Sequence, residues 1–305
     1  MAMAQIVMVG EGMLELSRAG IDVPTWRLGH GGDTLNTAIH LARFGERVEF
    51  LTALGDDPFS AQLRADWAAE GIGTALTMEL PGAHCGLYAV TTDEFGERTF
   101  TYWRKGSAAS RMFSSPAIHP ALAEAAGADL LGFSLISLAI LPDSGREALL
   151  SLAQLVRDMG GQVAFDGNYR ARLWSDPAEA RALRDRAIAT CTIGLPTAHD
   201  EALLGHEETA KEVAARWRAG GAEEVVVKLG DKGALVDGRI VPPPERLSPR
   251  DTSGAGDSFN AGYLHARLAG RSPEEATMAG HRLAGWVVMR SGAVPPSDGE
   301  APYAD

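Results

Sequence analysis

Short apolar runs at Ile6 to Val9, Val48 to Leu54, Leu130 to Ile136, Gln162 to Phe165, Thr192 to Leu195 and Val225 to Leu229 are separated by longer segments rich in Ala, Leu and Arg. Each run is too short for a buried helix and lacks the polar alternation of a half-exposed strand, so each reads as a strand covered on both faces. Strands alternating with helices bury those faces as a parallel sheet between two helical layers. No internal repeat, low-complexity tract or linker interrupts the pattern, and 1–305 is read as a single α/β domain.

Several function classes are excluded early. The chain is 45% hydrophobic yet has no apolar run of about 18 residues, the length a membrane span needs. Its first residues, Met-Ala-Met-Ala-Gln-Ile-Val-Met-Val-Gly, lack a charged n-region and read as a first strand, which predicts a cytoplasmic protein with no membrane partner. A formal charge of −12 without a basic block argues against nucleic acid. Cys85 and Cys191 are expected to be buried free thiols, since two cysteines build neither a disulfide framework nor a thiolate metal site. Gly10-Glu-Gly-Met-Leu-Glu15 imitates a dinucleotide-binding fingerprint, but the broken stretch Ser17 to Pro24 replaces both the third glycine and the crossover helix. A Walker loop is excluded because no Gly-Lys dipeptide occurs, and the H-R-D and D-F-G elements of protein kinases are absent.

The densest chemistry lies in Asp251-Thr-Ser-Gly-Ala-Gly-Asp-Ser-Phe-Asn-Ala-Gly-Tyr263. Gly254, Ala255 and Gly256 can turn successive N–H groups toward one anion, and from Asp257 onward Phe259, Tyr263, Ala266 and Leu268 have helical spacing, which adds a helix N-terminus. Asp257 is then either an N-cap or a base that takes a proton from a hydroxyl, while the Gly254 to Gly256 amides hold charge developing on a phosphoryl group. Gly31-Gly-Asp-Thr-Leu-Asn36 leads into a second helix ending at Gly45. Asp33 and Thr34 are caps there, or Gly31 and Gly32 admit a ligand to the backbone while Asn36 offers it an amide. Gly86 to Val90, which includes Tyr88, and Arg98 to Trp103, joined by Asp93-Glu-Phe-Gly96, predict a β-hairpin inserted as a lid. Asp166-Gly-Asn-Tyr-Arg170 lies just past a strand's C-terminal end, where open α/β sheets bind ligands.

Asp-Thr-Ser-Gly-Ala-Gly-Asp-Ser-Phe closely resembles the C-terminal signature of the PfkB (ribokinase-like) carbohydrate kinases, and the G-G-x-x-x-N spacing at Gly31 to Asn36 resembles their N-terminal signature. The landmarks run from residue 10 to residue 263. The resemblance implies a ribokinase-like three-layer sandwich, with a mostly parallel sheet, helices on both faces and a small β lid built from residues 10–31 and 84–106. It also implies that Asp257, with Gly254, Ala255 and Gly256, is catalytic. Glu15 falls where many members have a substrate-binding Asp. Val227-Lys-Leu-Gly-Asp-Lys-Gly233 resembles the nucleotide-side K-x-G-x-x-G loop, which makes Lys228, Gly230, Gly233, Thr252, Gly254 and Gly256 the expected ATP contacts. Pro196-Thr-Ala-His-Asp200 stands in the place of an N-x-x-E that organises Mg²⁺; Thr197 replaces the Asn and Asp200 the Glu, with Glu201 alongside, so Asp200 is the candidate metal residue.

Within the family, Asp166 to Trp174, Gly10 to Ser17, Gly32 to Ala38 and Glu97 to Arg104 resemble the 2-keto-3-deoxygluconate kinases. That implies ATP-dependent phosphorylation of a sugar acid, 2-keto-3-deoxy-D-gluconate, at its 6-hydroxyl. Gly31, Gly32, Asp33, Asn36, Tyr88, Tyr102, Arg104, Asp166, Asn168, Arg170 and Asp257 are the expected substrate contacts. Arg104 and Arg170 support an acid independently, because guanidinium forks suit a carboxylate. Two rivals stand: a fructokinase- or ribokinase-like kinase of a neutral sugar, in which both arginines form lid-stabilising ion pairs, and a catalytically silent sugar-acid-binding regulator. A homo-oligomer, dimer or higher, is expected.

Overall fold

The computed structural model describes residues 4–18, 24–92, 98–116, 118–205 and 208–303. Its centre is a seven-stranded parallel sheet. Among the described residues the strands are β1 (Gln5–Val9), β2 (Met13–Arg18), β3 (Trp26–Gly31), β4 (Arg47–Leu54), β5 (Thr77–Glu79), β6 (Gly86–Thr92), β7 (Arg98–Trp103), β8 (Leu130–Ser134), β9 (Gln162–Asp166), β10 (Ile193–Gly194), β11 (Glu224–Val225), β12 (Val227–Lys228), β13 (Ala234–Val236) and β14 (Arg239–Val241). The large sheet runs β11-β10-β9-β8-β1-β4-β5.

Side chains alternate across each strand, so one sequence run feeds two cores. Ile6, Met8, Phe50, Leu130 and Ala164 join the cluster under helices Asp33–Arg43, Pro58–Ala69, Ala255–Leu268 and Pro273–Val288. Val7, Val9, Leu51, Leu131, Phe133, Val163 and Phe165 join the opposite cluster, with helices Asp143–Asp158, Pro177–Thr190 and Ala210–Ala219. This is the three-layer α/β arrangement that continuous apolar runs demand. Cys85 and Cys191 are buried free thiols. Among the described residues no helix is long and apolar enough to cross a membrane.

A second sheet, ordered β3-β2-β6-β7, combines strands from 10–31 and 84–106, with β2 and β6 parallel at its centre and antiparallel partners on each side. The expected hairpin link Asp93 to Gly96 lies outside the described residues. A third sheet, β12-β13-β14, is antiparallel.

Three local expectations are corrected. The run from Leu130 stops being a strand at Ser134, whose hydroxyl accepts from the backbone N–H of Ile136 and Ser137 and caps helix Leu135–Ala139. The run from Val225 to Leu229 is divided: β11 pairs with β10 in the large sheet, whereas β12 pairs with β13 in the small one. The helix after the Gly-Ala-Gly turn begins at Ala255, not Asp257, and follows Gly254 in left-handed backbone at φ 70°. Asp257 is therefore inside the first turn and is not the N-cap.

Candidate active site

A cleft of about 1880 Å³ runs between the four-stranded sheet and the C-terminal ends of the central strands, and extends past the Gly254 turn to the β12–β13 loop. Asp257 stands between its two ends. Asn36, on helix Asp33–Arg43, donates from Nδ2 to Asp257 Oδ2 at 2.7 Å, and Thr37 Oγ1 donates to the Asp257 carbonyl at 3.2 Å. The Asp257 side chain reaches the cleft, yet protein surrounds it on the other sides. That desolvation, reinforced by the nearby charges of Asp33 and Asp166 and opposed by Asn36 and Lys228, pushes its pKa from 3.8 to about 7.

Below it lies a closed ring of three polar side chains. Lys228 Nζ donates to Asp166 Oδ1 and to Asn260 Oδ1, both at 3.0 Å, and Asn260 Nδ2 donates to Asp166 Oδ2 at 2.7 Å. The sequence reading does not single out Asn260. Its signal was available, because three positions after Asp257 on a helix is the same face. Asn168 Nδ2 donates to Asp33 Oδ2 at 3.0 Å, which joins the loop after β9 to the start of helix Asp33–Arg43.

The Gly254 turn begins a helix whose first N–H groups have no intrahelical acceptor. Ala255 donates to Thr252 O at 3.3 Å, which leaves the groups of Gly256 and Asp257, both lining the cleft. A Cβ on Gly254 would lie 2.7 Å from Ala293, whereas one on Gly256 would meet only Lys228 Nζ, at 3.9 Å. Gly254 is thus required by the fold, whereas the protein's own packing leaves room for a side chain at Gly256.

At the opposite end Tyr88 and Tyr102 stack, with centroids 5.6 Å apart, and the Tyr88 hydroxyl donates to Glu15. Arg104 is bound by Glu11, through Nε at 2.7 Å and through Nη2. Arg170 lies 3.6 Å from Asp200 and donates to its neighbour's carbonyl, Tyr169 O, at 2.8 Å. Arg172, also missed, places its guanidinium 3.8 Å from the Tyr102 ring centroid. Of the expected site residues, Gly32, Asp33, Asn36, Tyr88, Tyr102, Arg104, Asp166, Asn168, Arg170, Asp200, Lys228, Gly230, Gly233, Thr252, Gly254, Ala255, Gly256 and Asp257 all line this one cleft. Gly31 sits behind it, where a Cβ would come 2.2 Å from the Tyr88 hydroxyl.

Asp200 and its neighbour Glu201 part company. Asp200 lines the cleft, and burial raises its pKa against the pull of Arg170. Glu201 is turned into the interior, where it accepts from Arg184 and Arg216, each at 2.7 Å, and from Trp217 Nε1 at 3.0 Å. Among the described residues no three His, Cys, Asp or Glu side chains converge as a metal cage.

The pfkB family carbohydrate kinase model matches residues 3–299. The chain is 41% identical to a 2-dehydro-3-deoxygluconokinase of Escherichia coli (strain K12), over 96% of this chain and 98% of that protein. It is 30% identical to a fructokinase of Klebsiella pneumoniae, over 80% of this chain and 78% of that one. The crystal structure of a PfkB protein from Polaromonas sp. JS666 superposes with a TM-score of 0.84 at 30% identity, covering 95% of this chain and 97% of that chain. Family model, near-complete relatives and a shared three-layer fold agree with the cleft described above: the chain belongs to the pfkB family of carbohydrate kinases.

Proposed function

We propose that this chain is an ATP-dependent kinase that phosphorylates 2-keto-3-deoxy-D-gluconate at its 6-hydroxyl. The observation that carries the reading is Asp257: a carboxyl with pKa near 7, held by Asn36, between two ends of one cleft and inside the first turn of a helix. A base so placed accepts the hydroxyl proton as the oxygen attacks the γ-phosphorus, and the phosphoryl leaves ADP in line. The N–H groups of Gly256 and Asp257, with the Lys228 ammonium nearby, suit the charge on the phosphoryl oxygens. Gly230, Gly233 and Thr252 line the ATP end, and the four-stranded sheet serves as the lid over the sugar end.

Mg²⁺ fits this site as an ion carried by the nucleotide. Such ions keep waters and take few protein carboxylates, and Asp200 provides one on the cleft wall. Bound there, Mg²⁺ neutralises phosphate charge; the residues of the chain orient and deprotonate the acceptor.

The sugar-acid assignment draws on the full-length likeness to the E. coli enzyme, which is closer than the likeness to the fructokinase. It also draws on the arginines at the mouth, Arg104, Arg170 and Arg172. A neutral-sugar kinase has its own supporting observation, since Arg104 and Arg170 both have acidic partners already. A coupled ADP-release assay over sugar acids and neutral sugars decides between them: turnover of the keto acid well above that of fructose or ribose is expected, and the reverse order overturns the assignment. ATP consumption without any protein partner separates both from a silent regulator. The assembly is proposed to be a homo-oligomer, dimer or higher, on the strength of Trp26, Leu28 and Trp103, which are exposed on the two edge strands of the lid sheet; light scattering measures it.

A further inference from the structure

The Gly10-Glu-Gly12 turn places a charged residue where the reaction proposed above has no use for one. Glu11 is 3% exposed. Its Oε2 accepts from Arg104 Nε at 2.7 Å and from Arg104 Nη2, and its Oε1 accepts from the Ser107 hydroxyl. The chain is shaped around it. A Cβ on Gly86 would lie 2.7 Å from Glu11 Oε1, and a Cβ on Gly32 would lie 2.1 Å from its carbonyl oxygen. Burial holds the Glu11 carboxyl above its ordinary range, with the Arg104 guanidinium and the Ser107 hydroxyl opposing the shift only in part.

Arg104 itself lines the cleft just beyond the end of β7. A guanidinium carries five N–H donors in a rigid plane, so a carboxylate that takes Nε and one Nη2 donor leaves the remaining edge, including Nη1, for another acceptor. An arginine held this way loses little side-chain freedom when it binds, whereas a mobile one loses much more.

We propose that Glu11 is a positioning residue that sets the Arg104 guanidinium against the carboxylate end of the substrate, an inference that rests on the sugar-acid reading above. A Glu11 that only tied the end of β7 to the turn after β1 would change stability, and would change all substrates alike. Acting through Arg104, it changes one Michaelis constant.

The experiment compares wild type, Glu11→Asp, Glu11→Gln, Arg104→Ala and the double variant Glu11→Gln/Arg104→Ala, measuring kcat and KM for the keto acid, KM for ATP, and kcat/KM for fructose. Glu11→Asp keeps the buried charge and only withdraws the carboxylate, so it provides the test if Glu11→Gln fails to fold. Each Glu11 variant is expected to raise KM for the keto acid about 10-fold, the effect of misplacing one charge-assisted contact, with KM for ATP little changed. In the Arg104→Ala background, Glu11→Gln should add less than about 2-fold, because the residue it acts through is gone. An unchanged KM for the keto acid in Glu11→Asp, a proportional loss with ATP and fructose, or full additivity with Arg104→Ala overturns the positioning role while leaving the substrate reading intact. Wild type that ignores the keto acid and turns over fructose overturns the substrate reading first, and this role with it.

Discussion

Asn36 and Asp257, 221 positions apart in the chain, are joined by a 2.7 Å hydrogen bond between the amide of one helix and the carboxylate of another. The bond orients the proposed base. It also favours the ionised form, against the burial and the Asp33 charge that favour the neutral one.

Replacing Asp257 with Asn should lower kcat by about 10²–10⁴ and leave ATP affinity nearly unchanged, because the base is needed for the chemical step. A variant that keeps a third of wild-type kcat refutes the role. The same change should raise thermal stability at alkaline pH. The folded pKa of Asp257, about 7, lies above its ordinary 3.8, so the native state binds the proton more tightly. Its contribution is fully present below pH 4 or so and is lost as pH rises through about 7. Asn cannot ionise, so the Tm difference should grow from pH 5 to pH 8, as measured by scanning calorimetry.

The pH dependence of kcat/KM should show an acid limb near pH 7, reporting Asp257 in the free enzyme. Asn36→Leu removes the hydrogen bond to the ionised form and should move that limb to higher pH. Asp33→Asn removes a repelling charge and should move it lower. Profiles that shift together, or not at all, separate the limb from Asp257.

Gly256→Ala is a cleaner probe of the turn than any change at Gly254. A Cβ at Gly254 runs into Ala293 at 2.7 Å and forces a residue into left-handed backbone, so the fold itself is disturbed. At Gly256 the nearest atom is 3.9 Å away. The variant should keep wild-type Tm and lose about 10-fold or more in kcat/KM, if the methyl occupies space a phosphoryl group needs. Wild-type kinetics would make the turn purely structural.

Arg104→Ala and Arg170→Ala should each raise KM for the keto acid about 10- to 150-fold, the value of a charge-assisted contact, with neutral sugars losing far less. Measured as kcat/KM on the acid and on fructose, equal losses on both would assign the two arginines to lid-stabilising pairs with Glu11 and Asp200.

Asp200 and Glu201 should fail differently although they are adjacent. Asp200→Ala should shift the Mg²⁺ concentration needed for half-maximal rate and leave Tm near wild type. Glu201→Ala removes the buried acceptor shared by Arg184, Arg216 and Trp217, leaves buried Arg184 with only the exposed Asp185, and should cost about 3–5 kcal/mol in denaturant unfolding. Matching phenotypes would contradict the division.

Much of the molecule was legible in the order of its residues. The apolar runs at Ile6 to Val9 and Gln162 to Phe165 determined a sheet covered on both faces, because every second side chain must find a different core. Gly254 to Asp257 determined a turn entering a helix, because that chemistry is local to a few consecutive residues. What the tertiary structure alone decided is who faces whom. Arg104 meets Glu11 across 93 positions, Lys228 meets Asp166 across 62, and Asn168 meets Asp33 across 135, and no period in the sequence links such pairs. The division of Val225 to Leu229 between two sheets, and the opposite directions of Asp200 and Glu201, depend likewise on partners supplied by distant strands and helices. Local order sets which conformations a segment prefers; the position of a charge, and therefore its pKa and its use, is set by the groups that folding brings beside it.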